Sequence, residues 1–474
     1  MIWSAAALHK ATGGALQGSG DWSASGLEID SRRVRPGDVF IALPGDRHDG
    51  HDYAEAAANA GAVAMICERP VEAPLPLIIV EDSLAAIRDI AAVARDRCSA
   101  HRVAITGSVG KTGTKELVAA ALAAYGPCHA SKGNYNNHIG APLSLARMPG
   151  ATRYGVFELG MNHAGEIAAL SPLVAPHAAV ITRIAASHIG HFDSLDEIAA
   201  AKAEIFTGLT AGGTAVINAD DAYAAELAAH ARTARADEIL TIGTDASASH
   251  RIIAIDRHEG GLTVTADCRG ERLVFHLALM APHWAYAALI SLALVQAQGH
   301  DLAPACEALS GVTDIDGRGR QHAGITADGR KFTLIDDSYN ASPASMAAAI
   351  AALGSDPRIG GKAGRRVAIL ADMLELGDQA EALHRDLATD ITDAGIDLVI
   401  CFGTHMAALA EALDGNLPGL CHLKDAEAAA ATALELLADG DLILVKGSNG
   451  MKTGQVVTSL LAATPAPNGE SHAA

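Results

Sequence analysis

The run AITGSVGKTGTKEL at residues 104–117 narrows what this chain can fold into more than any other feature. Residues 102–106 have the apolar pattern of a strand, and a helical pattern follows residue 110 at once. Between them stand Gly107, Ser108, Val109 and Gly110, then Lys111, Thr112 and Gly113. Glycines there let the backbone curl into a nest of N–H donors, and the helix behind presents its positive end to an anion. Lys111 can neutralise outer phosphates, and the Thr112 hydroxyl can ligate magnesium. The run therefore reads as a nucleotide-phosphate loop. It is a tight variant, because Ile105 stands where the usual pattern has its first glycine.

Strand and helix patterns alternate on both sides of this loop. Ahead of it come strands at 39–43, 62–67 and 77–80, a turn at Pro44-Gly45, and helices at 53–60 and 83–97, the latter capped by Asp82 or Ser83. Behind it come strands at 154–158, 179–184 and 213–218, and a third group at 332–336, 366–371, 398–402 and 441–446. Such alternation predicts an α/β fold with parallel sheets covered on both faces. A chain of 474 residues exceeds what one core of about 250–300 residues supports. Three domains are expected, at 1–82, 83–313 and 314–463, with a disordered tail at 464–474.

Charge and cysteine content exclude several function classes. The 35 basic and 55 acidic residues give a formal net charge of -20, which repels nucleic acid and anionic membranes. Local backbone amides and single lysines can still hold a phosphate against that field. Seven scattered cysteines without a CxxC pair argue against disulfides and structural zinc and for a reducing, cytoplasmic setting. The N-terminus lacks the basic start and apolar run of a signal peptide. Residues 277–295 are apolar apart from His283, but Pro282 predicts a helix start there. The roughly 14 residues left match a buried core helix, so membrane insertion is not expected.

Three further residues fall where metal-dependent phosphoryl transfer needs them. Glu158 ends the strand at 154–158, facing the crevice where ligands bind in open α/β sheets, and suits magnesium as a hard oxygen donor. His188, in ASHIGHF at 186–192, is read as a member of that metal site or a donor behind it, since no third spaced ligand supports zinc. Lys202 lies in EIAAAKAEIF at 197–206, a helix that turns Ile198, Ile205 and Phe206 inward. Spacing alone makes Lys202 a solvated cation.

Taken in order, the motifs resemble the Mur ligase superfamily over nearly the whole chain. IDSRR at 29–33, GDVFIAL at 37–43 and DGHDY at 49–53 are similar to its UDP-sugar pocket, and residues 107–115 to its GSxGKTxTKE loop. KGNYNNHIGAP at 132–142, FELGMN at 157–162, GEI at 165–167, Ser187-His188 and AKAEI at 201–205 follow in register. GR at 317–318, DDSYNASP at 336–343, DMLELG at 372–377 and KGS at 446–448 complete the series. The DDSYN run, and the absence of an Asp-Asn-Pro-Arg run, point to the branch that adds D-alanyl-D-alanine to UDP-N-acetylmuramoyl-tripeptide with ATP and Mg2+.

The resemblance implies a central P-loop ATPase domain between an N-terminal UDP-sugar-binding domain and a C-terminal Rossmann-like domain, in a monomer. It implies that Lys111, Thr112, Glu158 and His188 serve the phosphates and metal, and that Lys202 is carbamylated. Arg318 would reach the phosphates, with Arg320 as the alternative, and Asp336 or Asp337 the ribose, with Asn340 and Ser448 in the closed site. Ser31, Arg32, Asp49, Gly50 and His51 would meet the UDP portion, and Asn136 and Asn137 the substrate between domains. The chain departs from the family at Trp284 and Ala287, where asparagines are common, and at Asn449, where arginine is common.

Overall fold

The computed structural model describes residues 2–45, 48–133, 135–187, 189–313, 315–356, 358 and 364–463. His188 and the segment 464–474 lie outside the described residues. The fold is α/β, built on three main sheets. The N-terminal sheet has the spatial order Ala15–Gln17, Leu77–Ile79, Ala64–Cys67, Asp38–Ile41, Gly26–Glu28, and is parallel except for its first pair. Asp82 caps the helix Ser83–Asp96, accepting from Leu84 N and Ala85 N at 2.7 and 2.9 Å.

In the nine-stranded central sheet, His101–Thr106 lies between Tyr154–Glu158 and Ala178–Ile181. The chain leaves to one side of that strand and returns on the other. The carboxyl ends of all three strands therefore border one crevice, where an open α/β sheet takes its ligands. Registers of Glu158 with Ile105 and of Ile181 with Thr106 bring Glu158 beside the loop that starts at Gly107. Helix His283–Ala297 starts immediately after Pro282 and is buried against the phosphate-loop helix Lys111–Ala123. Among the described residues no helix is long and apolar enough to cross a membrane.

The central sheet also carries an arm that the strand–helix pattern does not predict. His250–His258, Gly261–Cys268 and Glu271–Leu277 form an antiparallel meander added to the parallel strands. The expectation of a purely parallel central sheet is corrected accordingly. Its signals were local: alternating burial along Gly261–Cys268, and a two-residue turn at Arg269-Gly270 with φ of 55° and 88°.

The C-terminal sheet runs Arg320–Ile325, Lys331–Asp337, Asp441–Lys446, Arg366–Ala371, Leu398–Phe402, Leu420–Leu423, with only its first pair antiparallel. The N-terminal domain is fastened to the central one by side chains reaching backbone carbonyls. Trp3 Nε1 donates to Ala146 O at 2.9 Å, and the Arg97 guanidinium sits 3.6 Å over the Trp3 ring. Arg147 donates to Leu27 O at 2.7 Å and to Glu28 Oε2 at 3.0 Å, both partners being largely buried. Arg147→Ala strands that carboxylate and carbonyl, with an expected loss of about 3 kcal/mol. Limited proteolysis of that variant should release the N-terminal domain before the central one is cut.

Candidate active site

Residues 107–110 close into a tight loop because two glycines take conformations other residues avoid. Gly107 has φ 148° and Gly110, the N-cap of Lys111–Ala123, has φ 83°. A Cβ on Gly107 would collide with the Thr182 hydroxyl. That hydroxyl donates to Val109 O at 2.6 Å, Ser108 N donates to Arg183 O at 2.7 Å, and Ser108 Oγ accepts from Ala185 N at 2.9 Å. The loop is thus pinned to the segment after the neighbouring strand. Lys111 Nζ folds back and donates to Gly107 O at 2.7 Å and Ser108 O at 3.4 Å. Burial lowers the Lys111 pKa, Glu158 works against that, and Arg318 adds to it.

Glu158 is 1% exposed. Its Oε1 accepts from Asn136 Nδ2 at 2.8 Å, while Oε2 is buried without a hydrogen-bond partner among the described residues. A buried carboxylate oxygen left open beside a phosphate loop is suited to a cation. Lys202, on helix Leu195–Ala203, is also 1% exposed, which corrects the solvated position that spacing alone assigns it. Burial, and then the charge of Lys111, hold its pKa well below the ordinary lysine value. Ile198, Ile205 and Phe206 are buried as expected. Among the described residues no three His, Cys, Asp or Glu side chains are grouped to hold a metal. A cation here would draw on the Glu158 oxygen, the Thr112 hydroxyl and ligand oxygens.

Lys111, Thr112 and Glu158 line a cavity of about 840 Å³ whose other wall is the C-terminal domain. Arg318 crosses it, donating to Thr112 Oγ1 at 2.9 Å and lying 4.4 Å over the Tyr339 ring. Arg320 instead pairs with Asp316 at 2.6 Å, so Arg318 is the arginine that faces the loop. Of the two aspartates, Asp337 lines the cavity and accepts from Lys446 Nζ at 2.7 Å. Asp336 turns away to accept from Ser338 N and Oγ. Asn340 and Ser448 line the cavity, and Ser448 Oγ accepts from Leu374 N at 2.9 Å. Asn136 joins them, whereas Asn137 caps helix Gly140–Ala146 through Gly140 N at 2.8 Å.

The first-domain candidates stand apart from this cavity. Ser31 and Arg32 form a short 3-10 turn after Asp30, with Arg32 paired to Asp30 at 2.7 Å. Asp49 precedes Gly50 and accepts from both His51 N and Nδ1, and these contacts hold its carboxyl far below the usual range. His51 Nε2 accepts from Glu68 N at 2.9 Å, so both ring nitrogens brace the loop and the side chain is buried. Thr182, Tyr339 and Lys446 were not singled out by sequence. The last two sit inside quoted motifs, and Thr182 carries no local signal.

A model of the Mur ligase middle domain matches residues 105–295, one of the Mur ligase glutamate ligase domain matches 322–449, and one of the Mur ligase catalytic domain matches 23–105. The chain is 35% identical to the UDP-N-acetylmuramoyl-tripeptide–D-alanyl-D-alanine ligase of Escherichia coli (94% of this chain, 96% of that one). It is 33% identical to the enzyme of the same name from Bacillus subtilis (92% and 93%). The chain belongs to the Mur ligase family. A solved MurF structure from Acinetobacter baumannii, 28% identical, superposes with a TM-score of 0.82 over 98% of this chain and 99% of that one. MurF from Thermotoga maritima in complex with ADP shares the fold at a TM-score of 0.76, with 24% identity over 92% and 97%.

In this Mur ligase the departure at Trp284 is matched on the facing helix. The Trp284 ring is buried against Gly113, and a Cβ at Gly113 would lie 2.5 Å from it. Both residues line the cavity, so ring and glycine share one volume beside the phosphate loop. Gly113→Ala should overpack this contact, costing about 1–3 kcal/mol and weakening nucleotide binding. Adding Trp284→Leu removes the ring atoms that this Cβ would meet and should restore nucleotide binding by titration, while thermal unfolding reports the cost of the smaller core side chain.

Proposed function

We propose that this Mur ligase joins the amine of D-alanyl-D-alanine to the terminal carboxylate of UDP-N-acetylmuramoyl-tripeptide, using ATP to activate the acid, in peptidoglycan precursor synthesis. The observation that carries this reading is the Arg318–Thr112 contact across the cavity, which joins the phosphate loop to the C-terminal domain. Near full-length similarity to ligases of that name supports the substrate pair.

A carboxylate resists amines because it is anionic and lacks a leaving group. In the proposed reaction its oxygen attacks the γ-phosphorus, the bond to ADP breaks, and an acyl phosphate forms. Lys111 leaves the Gly107 carbonyl for the γ-phosphate, and Arg318 approaches the same oxygens from the other domain. The amine then adds to the acyl carbon, and the tetrahedral adduct expels phosphate and loses a proton. Asp337, oriented by Lys446, takes the ribose, with Asn340 and Ser448 beside it. Domain closure excludes water that would otherwise hydrolyse the acyl phosphate. The N-terminal domain, through Ser31, Arg32 and the Asp49-Gly50-His51 turn, holds the UDP end.

Magnesium fits Thr112 and the open Glu158 oxygen, where it would offset negative charge on the phosphates. Lys202 fits carbamylation, because its burial and the nearby Lys111 favour the neutral amine that adds to carbon dioxide. The N–C bond forms as the neutral amine gives up one proton, turning an uncharged group into an anion near Lys111. His188 is included in this site by its motif.

Phosphate release should require both UDP-muramoyl-tripeptide and D-alanyl-D-alanine, and Lys111→Ala should abolish it. ATP hydrolysis without either substrate would instead mark a stand-alone ATPase. Lys202→Arg should remove turnover while preserving the fold, and carbon dioxide depletion should lower wild-type activity until bicarbonate is restored. Near-normal turnover in Lys202→Arg would eliminate the carbamate. The depressed Lys202 pKa means that the folded chain binds fewer protons than the unfolded one. The resulting stability penalty is absent above the ordinary lysine pKa, grows as pH falls through that window, and is constant below the folded value. In carbon dioxide-depleted buffer at pH 7, Lys202→Met should therefore melt higher than wild type while being inactive.

A further inference from the structure

The antiparallel arm, which sequence patterns did not announce, sends one side chain into the C-terminal domain. Arg257, on His250–His258, donates through Nη1 to Ser355 Oγ at 2.6 Å and Ser355 O at 3.1 Å, and through Nη2 to Ala352 O at 3.3 Å. Asp356 Oδ2 lies 3.9 Å from the same guanidinium. Arg358 holds Asp356 by a two-pronged pair at 2.8 and 2.6 Å and reaches Gln321 Oε1 at 2.8 Å. The Arg257 side chain is 14% exposed and that of Asp356 2%. Arg257, Gln321, Ala352 and Asp356 line the same cavity as Lys111 and Arg318.

What Arg257 grips is the carboxyl end of helix Pro343–Gly354. The last carbonyls of a helix have no intrahelical partner and carry its negative pole, so a planar cation with several donors is well matched to them. The other end of this helix is capped by Ser342, shortly after the strand end at Asp337 and the turn that carries Tyr339 and Asn340. Twelve residues make a rigid rod of about 18 Å between the clasp and that turn. Holding one end therefore sets the attitude of the other. The Arg318–Thr112 bond and the Gly190 N to Glu375 O bond at 3.1 Å also cross between these domains. Arg257 alone of these acts from the arm on the helix that leads back to the nucleotide-facing turn.

We propose that Arg257 is a positioning residue: by clasping the C-terminus of helix Pro343–Gly354 it holds the C-terminal domain closed, with Arg318 and Asp337 aimed at the nucleotide. The inference rests on the ligase reading above, because closure over ATP gives the clasp its purpose. Water replaces these bonds when the domains part, so the clasp is reversible.

The test combines steady-state kinetics with small-angle scattering on the full chain. With a non-hydrolysable ATP analogue and UDP-muramoyl-tripeptide present, wild type should contract. Arg257→Ala should stay expanded, lose tenfold or more in kcat, raise KM for ATP, and keep KM for UDP-muramoyl-tripeptide within twofold. Arg257→Lys, which keeps a cation but loses the fork, should fall between the two in kcat and radius of gyration. It carries the test by itself if the alanine variant fails to fold. Variants that contract like wild type with kcat within twofold would overturn the clasp while leaving the ligase reading intact. Absence of ligation by wild type would overturn that reading, and with it the clasp.

Discussion

The closeness of two backbones at Gly107 is the constraint from which the site follows. The loop can meet the Thr182 hydroxyl only where no Cβ intervenes, and the bonds from Thr182, Arg183 and Ala185 then lock residues 107–109 in place. A loop held this way presents its amides without rearrangement, while Lys111 rests folded back on the Gly107 carbonyl. Strand order does the rest: neighbours on both sides of His101–Thr106 end at the same level, which puts Glu158 within electrostatic reach of Lys111.

Charge around the phosphate loop is only partly compensated. Among the described residues Glu158 keeps an oxygen buried and unbonded, and Lys202 is buried near a second lysine. Each arrangement destabilises the empty protein, since burial penalises whichever form is charged. Such strain is tolerable when ligands or modification supply the missing charge. The remainder of the cavity wall is conventional by comparison, with Lys446 satisfied by Asp337 and the Asn340 carbonyl.

The C-terminal domain supplies the far wall of the cavity. Arg318, the segment carrying Asp337 and Asn340, and Ser448 come from three parts of the C-terminal domain, and they meet the phosphate loop because that domain docks. The docking contacts include the Arg318–Thr112 bond, the Gly190–Glu375 backbone bond and the Arg257 bonds to Ala352 and Ser355. Bonds of that type exchange readily with water, which suits domains that must part to admit substrates and release product.

Sequence alone determined the tight glycine loop at 107–110, the α/β class and the helix starting after Pro282, because each depends on neighbours in the chain: glycine spacing, apolar period and a missing amide donor. The order of motifs likewise carried the family. Tertiary structure decided what local patterns do not encode. Lys202 looked like a surface cation on a helix, and only packing buried it near Lys111. Asp337 and Arg318 were separated from Asp336 and Arg320 by which way a strand end and a turn face, a choice made by the sheet they join. His51 proved a brace because Glu68, distant in the chain, supplies its second hydrogen bond. Long-range contacts settle such questions, since a side chain's partners come from segments that only folding brings together.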